Sequence, residues 1–196
     1  MQIEPQTKQS LIEEHYYINV DNDYWYDCII DEFIEDMWLY GIEVEKVHFT
    51  GFCSQGDGAC FDGSVRDWGL FLKHIGITCP AVTQLAKDMW LFSSSHRGRH
   101  SHHKSVHYDS ELYNPNLDWQ LFPEPDTNDL KELVNMALLQ AFNWSELEEK
   151  LIKCFEEHMQ NVYSRLNKAY DYLTTEEVIW EYIVANDLHL EEECDD

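Results

Sequence analysis

A turn-rich segment in the first third of the chain decides the fold class: residues 43–63 have the sequence EVEKVHFTGFCSQGDGACFDG. β-prone residues such as Val44 and Phe49 precede the turn, and Ala59-Cys60-Phe61 follow it. The intervening Gly56-Asp57-Gly58 is typical of a hairpin or a bulged connection, since glycine adopts the positive φ that such turns need. The segment therefore predicts two antiparallel strands.

The residues before the hairpin predict an amphipathic helix that follows a polar lead. Asp21 or Asp23 can cap its start, and Gly41 can stop it after Tyr40. Apolar side chains recur at helical spacing and form a broad stripe, which consists of Trp25, Ile29, Phe33, Met37 and Tyr40 with Tyr26, Ile30, Ile34 and Trp38. We expect that face to be buried.

The middle of the chain predicts a helix, a loop and a further strand. Residues 79–92 are typical of a helix with Pro80 in its first turn. Residues 93–104 are basic and rich in Ser and His, which favours a loop, and residues 105–108 resemble a strand that would join the sheet. Residues 114–126 contain three prolines and are expected to be irregular.

Three capping signals divide the last third of the chain into three predicted helices. They pair Asp129 with Glu132, Ser145 with Glu148, and Thr174 with Glu177. The middle helix carries a long apolar seam of Leu147, Leu151, Phe155, Met159, Val162, Leu166, Ala169 and Leu173.

These elements predict a single α+β domain over residues 1–196. A small, mainly antiparallel sheet and the acidic N-terminal helix belong to residues 1–126, and a layer of three helices belongs to residues 127–190. Residues 191–196 are expected to form a solvated acidic tail.

Composition excludes several classes of protein. With 44% hydrophobic and 14% aromatic residues, the chain is not a disordered acidic protein. No N-terminal segment has a basic start followed by an apolar stretch, and no run approaches the roughly 18 apolar residues of a membrane span, so we expect a cytoplasmic protein. The six cysteines contain no CxxC pair, which argues against a disulfide framework and against a zinc knuckle.

The chain is strongly acidic, with 38 Asp and Glu against 13 Lys and Arg and a formal net charge of -25. Residues 1–50 hold 12 acids and 2 bases, and residues 145–196 hold 15 acids and 4 bases. A DNA duplex carries one negative charge per roughly 1.7 Å, so the same charge corresponds to about 42 Å of DNA. Simple solvation is the alternative explanation, but the concentration of acids at both ends favours basic partners.

Two rows of carboxylates are the predicted contact surfaces. In the N-terminal helix, acids recur every four residues, about 6 Å apart along the axis, and no Lys or Arg occurs between Lys8 and Lys46. A row of phosphate-binding Lys or Arg could bind such a ladder, whereas the alternative is a solvated helix face. The first row consists of Asp23, Asp27, Asp31, Glu32, Glu35 and Asp36, and the second of Glu148, Glu149, Glu156 and Glu157.

The candidate for chemistry is the motif loop of Cys53, Ser54, Gln55, Gly56, Asp57 and Gly58. Cys53 or Ser54 could be a nucleophile, Asp57 an acid, and His48 or a histidine of residues 100–107 the base. The loop could also offer backbone N–H groups to a phosphate. It lacks the Lys and the Ser/Thr pattern of a P-loop, and we interpret it as a structural hairpin.

A histidine cluster is the candidate for metal binding. It consists of His96, His100, His102, His103 and His107, and Cys53 or Cys60 could supply a further ligand. Arg97, Arg99 and Lys104 would repel a cation there. We therefore assign no metal, no cofactor and no catalytic residue.

Two motifs resemble a known set of proteins. The stretches GFCSQGDGACF (51–61) and YLTTEE (172–177) are similar to the GF-x-SQGDGA-x-F and YLT-x-EE motifs of uncharacterised small acidic proteins from phages and mobile elements. No reaction is known for that set. The resemblance implies a phage-like origin, in which very acidic proteins are often inhibitors of host defence that imitate DNA.

The main hypothesis is a non-enzymatic inhibitor that occupies the nucleic-acid-binding surface of a host enzyme, such as a restriction or CRISPR effector. Its partner would be a basic nucleic-acid-binding protein of the host cytoplasm, and it would bind neither nucleic acid nor membranes directly. One alternative is a regulatory module that binds protein through aromatic residues such as Trp25, Trp38, Trp90 or Trp119. Another is an enzyme or metalloprotein that uses Cys53, Asp57 and the His100–His107 cluster.

Overall fold

The computed structural model describes residues 5–54, 56–83, 93–94, 108–109 and 130–188. A small antiparallel sheet is combined with several helices, which is the predicted α+β class. The elements in chain order are α1 (Pro5–Glu14), a 3-10 helix (Asp23–Tyr26), α2 (Asp27–Leu39), β1 (Ile42–Thr50), β2 (Gly58–Val65), α3 (Trp68–His74), β3 (Ser93–Ser94), β4 (Tyr108–Asp109), α4 (Leu130–Ala141), α5 (Trp144–Leu173) and α6 (Glu176–Ala185).

The predicted hairpin forms the long part of the sheet. Strands β1 and β2 are antiparallel and pair from Ile42 opposite Val65 to Thr50 opposite Gly58. The register shifts between Val44 and Lys46, so Glu45 forms a β-bulge in β1. The prediction of two antiparallel strands at this position is confirmed.

The short strands β3 and β4 complete a four-stranded sheet in the order β1-β2-β3-β4, with antiparallel neighbours throughout. The expected strand over residues 105–108 corresponds to β4, which is described for Tyr108–Asp109, whereas 105–107 lie outside the described residues. Residues 93–94 pair with β2 although the sequence favoured a loop there. Hydroxyl side chains do not prevent backbone pairing, and a neighbouring strand supplies the partner groups.

The predicted helix over residues 79–92 begins in the structure at Pro80. Its first turn is described as far as Thr83, and residues 84–92 lie outside the described residues. Ala81 and Val82 in this turn are buried. The proline occupies the first helical position, where its missing N–H has no intrahelical partner to lose.

The chain divides into two compact units. One consists of Met1–Asp31 and Ser164–Asp196, and the other of Glu32–Tyr163. The boundaries fall inside α2 and inside α5.

The core of the unit Glu32–Tyr163 is a set of four phenylalanines from four elements. Phe33 of α2 lies 5.4 Å from Phe61 of β2, Phe61 lies 5.8 Å from Phe155 of α5, and Phe155 lies 5.7 Å from Phe71 of α3, measured between ring centroids. All four side chains are at most 2% exposed. Burying one such side chain stabilises a fold by about 1.5–3 kcal/mol, and each aromatic pair adds about 0.5–1.5 kcal/mol.

The unit Met1–Asp31 with Ser164–Asp196 contains a helix that the sequence analysis treated as a polar lead. Helix α1 packs on α6 through Leu11 and Ile12, which contact Ile179 and Ile183. These four side chains are at most 4% exposed. Among the described side chains of α1, only Leu11 and Ile12 are apolar and buried. The sequence of this helix therefore shows no long periodic apolar stripe.

The three helices of the last third are confirmed, and six members of the predicted seam of α5 are buried: Leu147, Leu151, Phe155, Met159, Val162 and Leu166. Ala169 and Leu173 are half-buried. Despite the 30-residue length of α5, no helix in the described ranges combines the length and apolar character needed to cross a bilayer.

The caps of α2 and α6 lie next to the predicted residues. Asn22, rather than Asp21 or Asp23, accepts a hydrogen bond from the Tyr24 N–H (3.0 Å) and starts the 3-10 helix that leads into α2. Thr175, rather than Thr174, is extended and caps α6. Thr174 instead donates its hydroxyl to the carbonyl of Tyr170 (2.8 Å), which keeps it at the end of α5.

The cap of α5 also differs from the prediction. Asn143 Oδ1 accepts a hydrogen bond from the Glu146 N–H (3.2 Å), because Trp144 is already helical and Ser145 lies one residue inside the helix. Asp129, the predicted cap of α4, lies outside the described residues.

The predicted helix stop at Gly41 is confirmed. Gly41 has a φ of 81°, and its carbonyl accepts hydrogen bonds from the N–H groups of Arg66 (2.8 Å) and Asp67 (3.0 Å). Asp67 in turn caps α3 by accepting from the Leu70 N–H (3.0 Å). A Cβ on Gly41 would collide with the Asp67 carbonyl oxygen, so this glycine couples the end of α2 to the start of α3.

A pair of glycine substitutions tests this coupling. Gly41→Ala should lower the free energy of unfolding by at least about 2 kcal/mol, because it combines a positive φ with a backbone collision. Gly76 is the matched control, since its φ is 75° but none of the described atoms lies within 4 Å of a Cβ there. Gly76→Ala should cost only about 1 kcal/mol. Equal losses in urea denaturation of the two variants would contradict the coupling.

Candidate functional site

The exposed face of α2 carries the first predicted row of carboxylates. Asp27, Asp31 and Glu35 follow one another at every fourth position and are exposed, as is Glu32. The opposite side of the helix is anchored because Phe33 and Met37 are at most 2% exposed. The residues of this exposed row, Asp27, Asp31, Glu32 and Glu35, are called the acidic face below. Asp36 is half-buried, and the side chain of Asp23 lies outside the described residues.

The acidic face has no compensating cation in the part of the chain that the structure describes. None of its four residues forms an ion pair with a described side chain. Arg66 lies at the end of α2, but its guanidinium covers the Trp38 ring at 3.7 Å and donates to the Trp38 carbonyl (3.4 Å). Like charges at four-residue spacing repel by about 0.2–0.5 kcal/mol per pair, and this repulsion is left unrelieved.

The second predicted row, on α5, differs from the first. Glu149 and Glu157 are exposed, whereas Glu148 and Glu156 are half-buried. Lysines are interleaved with this row, since Lys153 lies 3.7 Å from Glu157 and Lys150 lies 2.7 Å from Glu146. The negative potential of α5 is therefore partly neutralised within the helix, and α2 is the more strongly charged surface.

The motif loop uses its own carboxylate to satisfy its backbone. Asp57 Oδ2 accepts hydrogen bonds from the N–H groups of Cys53 (2.7 Å) and Ser54 (2.5 Å). Gly51, with a φ of 40°, makes room for this carboxylate, because a Cβ there would lie 2.5 Å from Asp57 Oδ1. Two of the loop's N–H groups are thus already bonded to a carboxylate, which would repel a phosphate at that position. Gln55 lies outside the described residues.

The other candidate catalytic groups are engaged elsewhere or not described. His48 Nε2 lies 3.0 Å from Asp62 Oδ2, so the predicted base pairs with a carboxylate on β2. The second oxygen of Asp62 is buried and has no hydrogen-bond partner among the described residues. The histidine cluster of residues 96–107 lies outside the described residues.

The structure brings together three side chains, two imidazoles and a thiol, that no pattern in the sequence combines. His74 is the last residue of α3, and Cys154 and His158 lie one turn apart on α5. The Nε2 atoms of the two histidines are 3.1 Å apart, and the donor atoms of the three residues all lie within 4.8 Å of one another. His74, Cys154 and His158 are called the His–Cys cluster below.

Tyr40 holds the two imidazoles of the His–Cys cluster in nearly parallel planes. Its ring stacks on His74 at 3.8 Å between centroids and lies 5.4 Å from His158. The two imidazole centroids are 5.3 Å apart at an angle of 20°. Tyr40 lies in the turn after α2 and His74 lies at the end of α3, so the fold itself positions these rings without a ligand.

Burial sets the protonation of two residues in this cluster. It lowers the pKa of His74, although the nearby charge of Glu157 acts in the opposite direction. Burial, reinforced by Glu157, raises the pKa of the Cys154 thiol to about 12. Near neutral pH the site therefore favours an uncharged imidazole and a protonated thiol in the absence of a cation.

One sequence signal could have indicated this cluster. Cys154 and His158 are four residues apart and border the apolar seam of α5, so that one helix face brings a thiol and an imidazole together. The third member, His74, is 80 positions earlier in the chain. Only the packing of α3 against α5 places it there.

The comparisons with known proteins identify a family. Residues 25–176 match the profile of a family described as a domain of unknown function (DUF8835). The chain belongs to this family. No curated protein and no solved structure matches the chain. The match extends from two residues before α2 to the first residue of α6, so it includes the acidic face, the hairpin and the His–Cys cluster. Membership agrees with the resemblance to uncharacterised proteins.

The cysteines should differ widely in reactivity. Cys28 and Cys53 are exposed, whereas Cys154 is 7% exposed and has a pKa of about 12. In chelator-treated protein at pH 8, we expect iodoacetamide to modify Cys28 and Cys53 at least about 100 times faster than Cys154, since the thiolate is the reactive form. Peptide mapping by mass spectrometry measures each rate, and in guanidinium the difference should disappear. Comparable rates in the folded protein would contradict the assigned environment.

Proposed function

We propose that the protein is a non-enzymatic inhibitor of the phage anti-defence type, which occupies the nucleic-acid-binding surface of a host enzyme by imitating DNA. The single observation that carries the proposal is the acidic face of α2, with its exposed carboxylates at regular spacing. Its partner is a basic nucleic-acid-binding protein of the host cytoplasm, such as a restriction or CRISPR effector. The motif resemblance of residues 51–61 supports the phage context.

The energetics of the acidic face favour a binding role over a stabilising one. Asp27, Asp31 and Glu35 repel one another, and the described residues supply no ion pair to offset that cost. A row of Lys or Arg on a partner would replace this repulsion with attraction. The acids therefore gain favourable interactions only in a complex.

The regular helical spacing of the acids in α2 supports recognition by charge geometry. Successive carboxylates stand about 6 Å apart along the axis of a regular helix, and Phe33 and Met37 fix the buried side of that helix. Little conformational freedom of the backbone is lost when a preorganised row binds. A nucleic-acid-binding cleft offers the matching row of cations.

The total charge supports fast association with such a partner. A net charge of -25 attracts basic surfaces over long distances and repels nucleic acid. Electrostatic complementarity of this kind raises the association rate most strongly at low salt. Binding should therefore be salt-sensitive.

The two alternatives receive less support from the described residues. Trp25 is half-buried beside Tyr26 and Tyr170, and the exposed Trp38 is covered by Arg66. Trp90 and Trp119 lie outside the described residues. An enzyme would need an acid that faces its substrate, whereas the Asp57 carboxylate accepts hydrogen bonds from its own loop.

A salt-dependent capture experiment tests the proposal. Tagged protein is incubated with a bacterial lysate at about 100 mM and about 500 mM salt, between which the Debye length falls from roughly 10 Å to a few Å. We expect a nucleic-acid-processing enzyme to be retained at low salt only, and the purified enzyme to lose DNA binding when the inhibitor is added. A partner that is retained at both salts and still binds DNA would contradict the proposal.

A charge-matched pair of variants tests the contact surface. The triple change Asp27→Asn, Asp31→Asn and Glu35→Gln should weaken binding to the captured enzyme by about tenfold, as expected for loss of three exposed pairs. It should also flatten the salt dependence. Because repulsion within α2 is relieved, thermal stability should be unchanged or slightly higher.

The control removes the same number of charges from α6. Glu176→Gln, Glu177→Gln and Glu181→Gln all replace exposed residues and should leave the affinity within about threefold of the wild type. If both triple variants lose affinity equally, the partner senses only net charge. If neither variant loses affinity, the acidic face of α2 is not the contact surface.

A further inference from the structure

The His–Cys cluster is a second site that the proposed inhibitory function does not use. It joins the end of α3 to the middle of α5 within the unit Glu32–Tyr163. We propose that His74, Cys154 and His158 bind one divalent transition metal of the zinc class, which cross-links α3 to α5. The proposal is independent of the acidic face and of any partner.

The distances between the donor atoms suit such an ion. In a tetrahedral zinc site with Zn–N bonds of 2.0–2.1 Å, the two nitrogens are about 3.3 Å apart. The Nε2 atoms of His74 and His158 are 3.1 Å apart, close to that separation. Cys154 Sγ completes a group in which no two donors are more than 4.8 Å apart. Coordination by Cys154 displaces the thiol proton to solvent and requires its Sγ to move closer to the two nitrogens.

The donor set selects the kind of metal. Two imidazoles and a thiolate are the ligands of zinc, cobalt and related ions, whereas magnesium and calcium prefer oxygen ligands. Three protein ligands leave one tetrahedral position for water or another small ligand. The negative charge of the adjacent Glu157 acts to raise the pKa of both His74 and Cys154, although burial has the larger effect on each. The same charge attracts a cation to the space between these donors.

The geometry is more specific than that of histidines in an ordinary core. Without a metal, two Nε2 atoms at 3.1 Å can share a single hydrogen bond only if one imidazole donates and the other accepts, which requires opposite tautomers. A metal ion accepts both lone pairs at once. The imidazole centroids are 5.3 Å apart and the Nε2 atoms 3.1 Å apart, so the two nitrogens face each other nearly head-on. A metal bound to both therefore requires each ring to tilt away from this line, while the Tyr40 ring stays stacked on His74 at 3.8 Å.

A bound metal would reinforce an existing contact. The ring of Phe71 on α3 packs on Phe155 of α5 at 5.7 Å, and the ligands lie a few residues from both. Coordination would tie the exposed end of α3, at His74, to the same helix. The expected consequence is a higher stability of the chain when the metal is present.

The test uses the full chain, treated with a chelator and freed of it by dialysis. Titration with zinc chloride should show about one strongly bound zinc per chain. The melting temperature should rise by about 5–10 °C when free zinc is about 100 times its dissociation constant. Cobalt(II) should produce a thiolate charge-transfer band, which reports a cysteine ligand, and d–d bands, which report tetrahedral coordination. A wild-type chain that shows neither zinc binding nor this cobalt spectrum would overturn the proposal.

Variants separate this site from the rest of the chain. Cys154→Ser should abolish the cobalt–thiolate band, and His74→Gln should reduce zinc affinity at least about tenfold. His74 is exposed, so its replacement leaves the core filled and keeps the test valid if Cys154→Ser is unstable. Controls are Cys53→Ser and the triple change His100→Asn, His102→Asn and His103→Asn, which should preserve the band. Loss of zinc in a control, with retention in His74→Gln, would assign the metal elsewhere.

Discussion

The contact of Phe61 with Phe33 and Phe155 is the constraint on which the unit Glu32–Tyr163 depends. One side chain of β2 packs against a side chain of α2 and a side chain of α5, so both helices cover the same face of the hairpin. Phe71 extends the contact to α3 through Phe155. The position of the His–Cys cluster follows from these rings, since its residues lie on α3 and α5, which Phe71 and Phe155 hold together.

Local patterns in the sequence predict the elements of this arrangement well. The hairpin, the stop at Gly41 and the seam of α5 depend on neighbours within a few residues, and they are confirmed. The predicted apolar stripe of α2 is confirmed only in part, because Phe33 and Met37 are buried whereas Trp38 is 48% exposed. The caps are displaced by one or two residues because several hydroxyl, amide and carboxylate side chains near each helix start compete for the same N–H groups. The sequence of α1 has only a weak helical pattern of apolar residues. Its Leu11 is buried by Ile179 and Ile183, which lie more than 160 positions later in the chain.

The candidate sites show the same division between local and distant information. The acidic face could be predicted because every member belongs to one helix, and a four-residue repeat places them on one side. The His–Cys cluster could not, because His74 and Cys154 are 80 positions apart and no short motif joins them. The metal candidate that the sequence offered was a run of histidines close together in the chain, and it was not assigned a metal because Arg97, Arg99 and Lys104 lie among them. The hydrogen bonds that Asp57 accepts within its own loop could likewise not be predicted, because they depend on the backbone conformation of Gly51.

The two sites rest on different physical forces, and this difference decides how each would respond to its surroundings. The repulsion within the acidic face costs only a few tenths of a kcal/mol per pair, which the phenylalanine core offsets many times over. The fold can therefore tolerate an unneutralised surface. Exposed charges are screened beyond about 10 Å at 0.1 M and about 3 Å at 1 M, so the proposed partner binding by the acidic face is expected to weaken as salt rises. Metal coordination depends on bonds of about 2 Å, so the proposed metal binding by the His–Cys cluster is expected to persist.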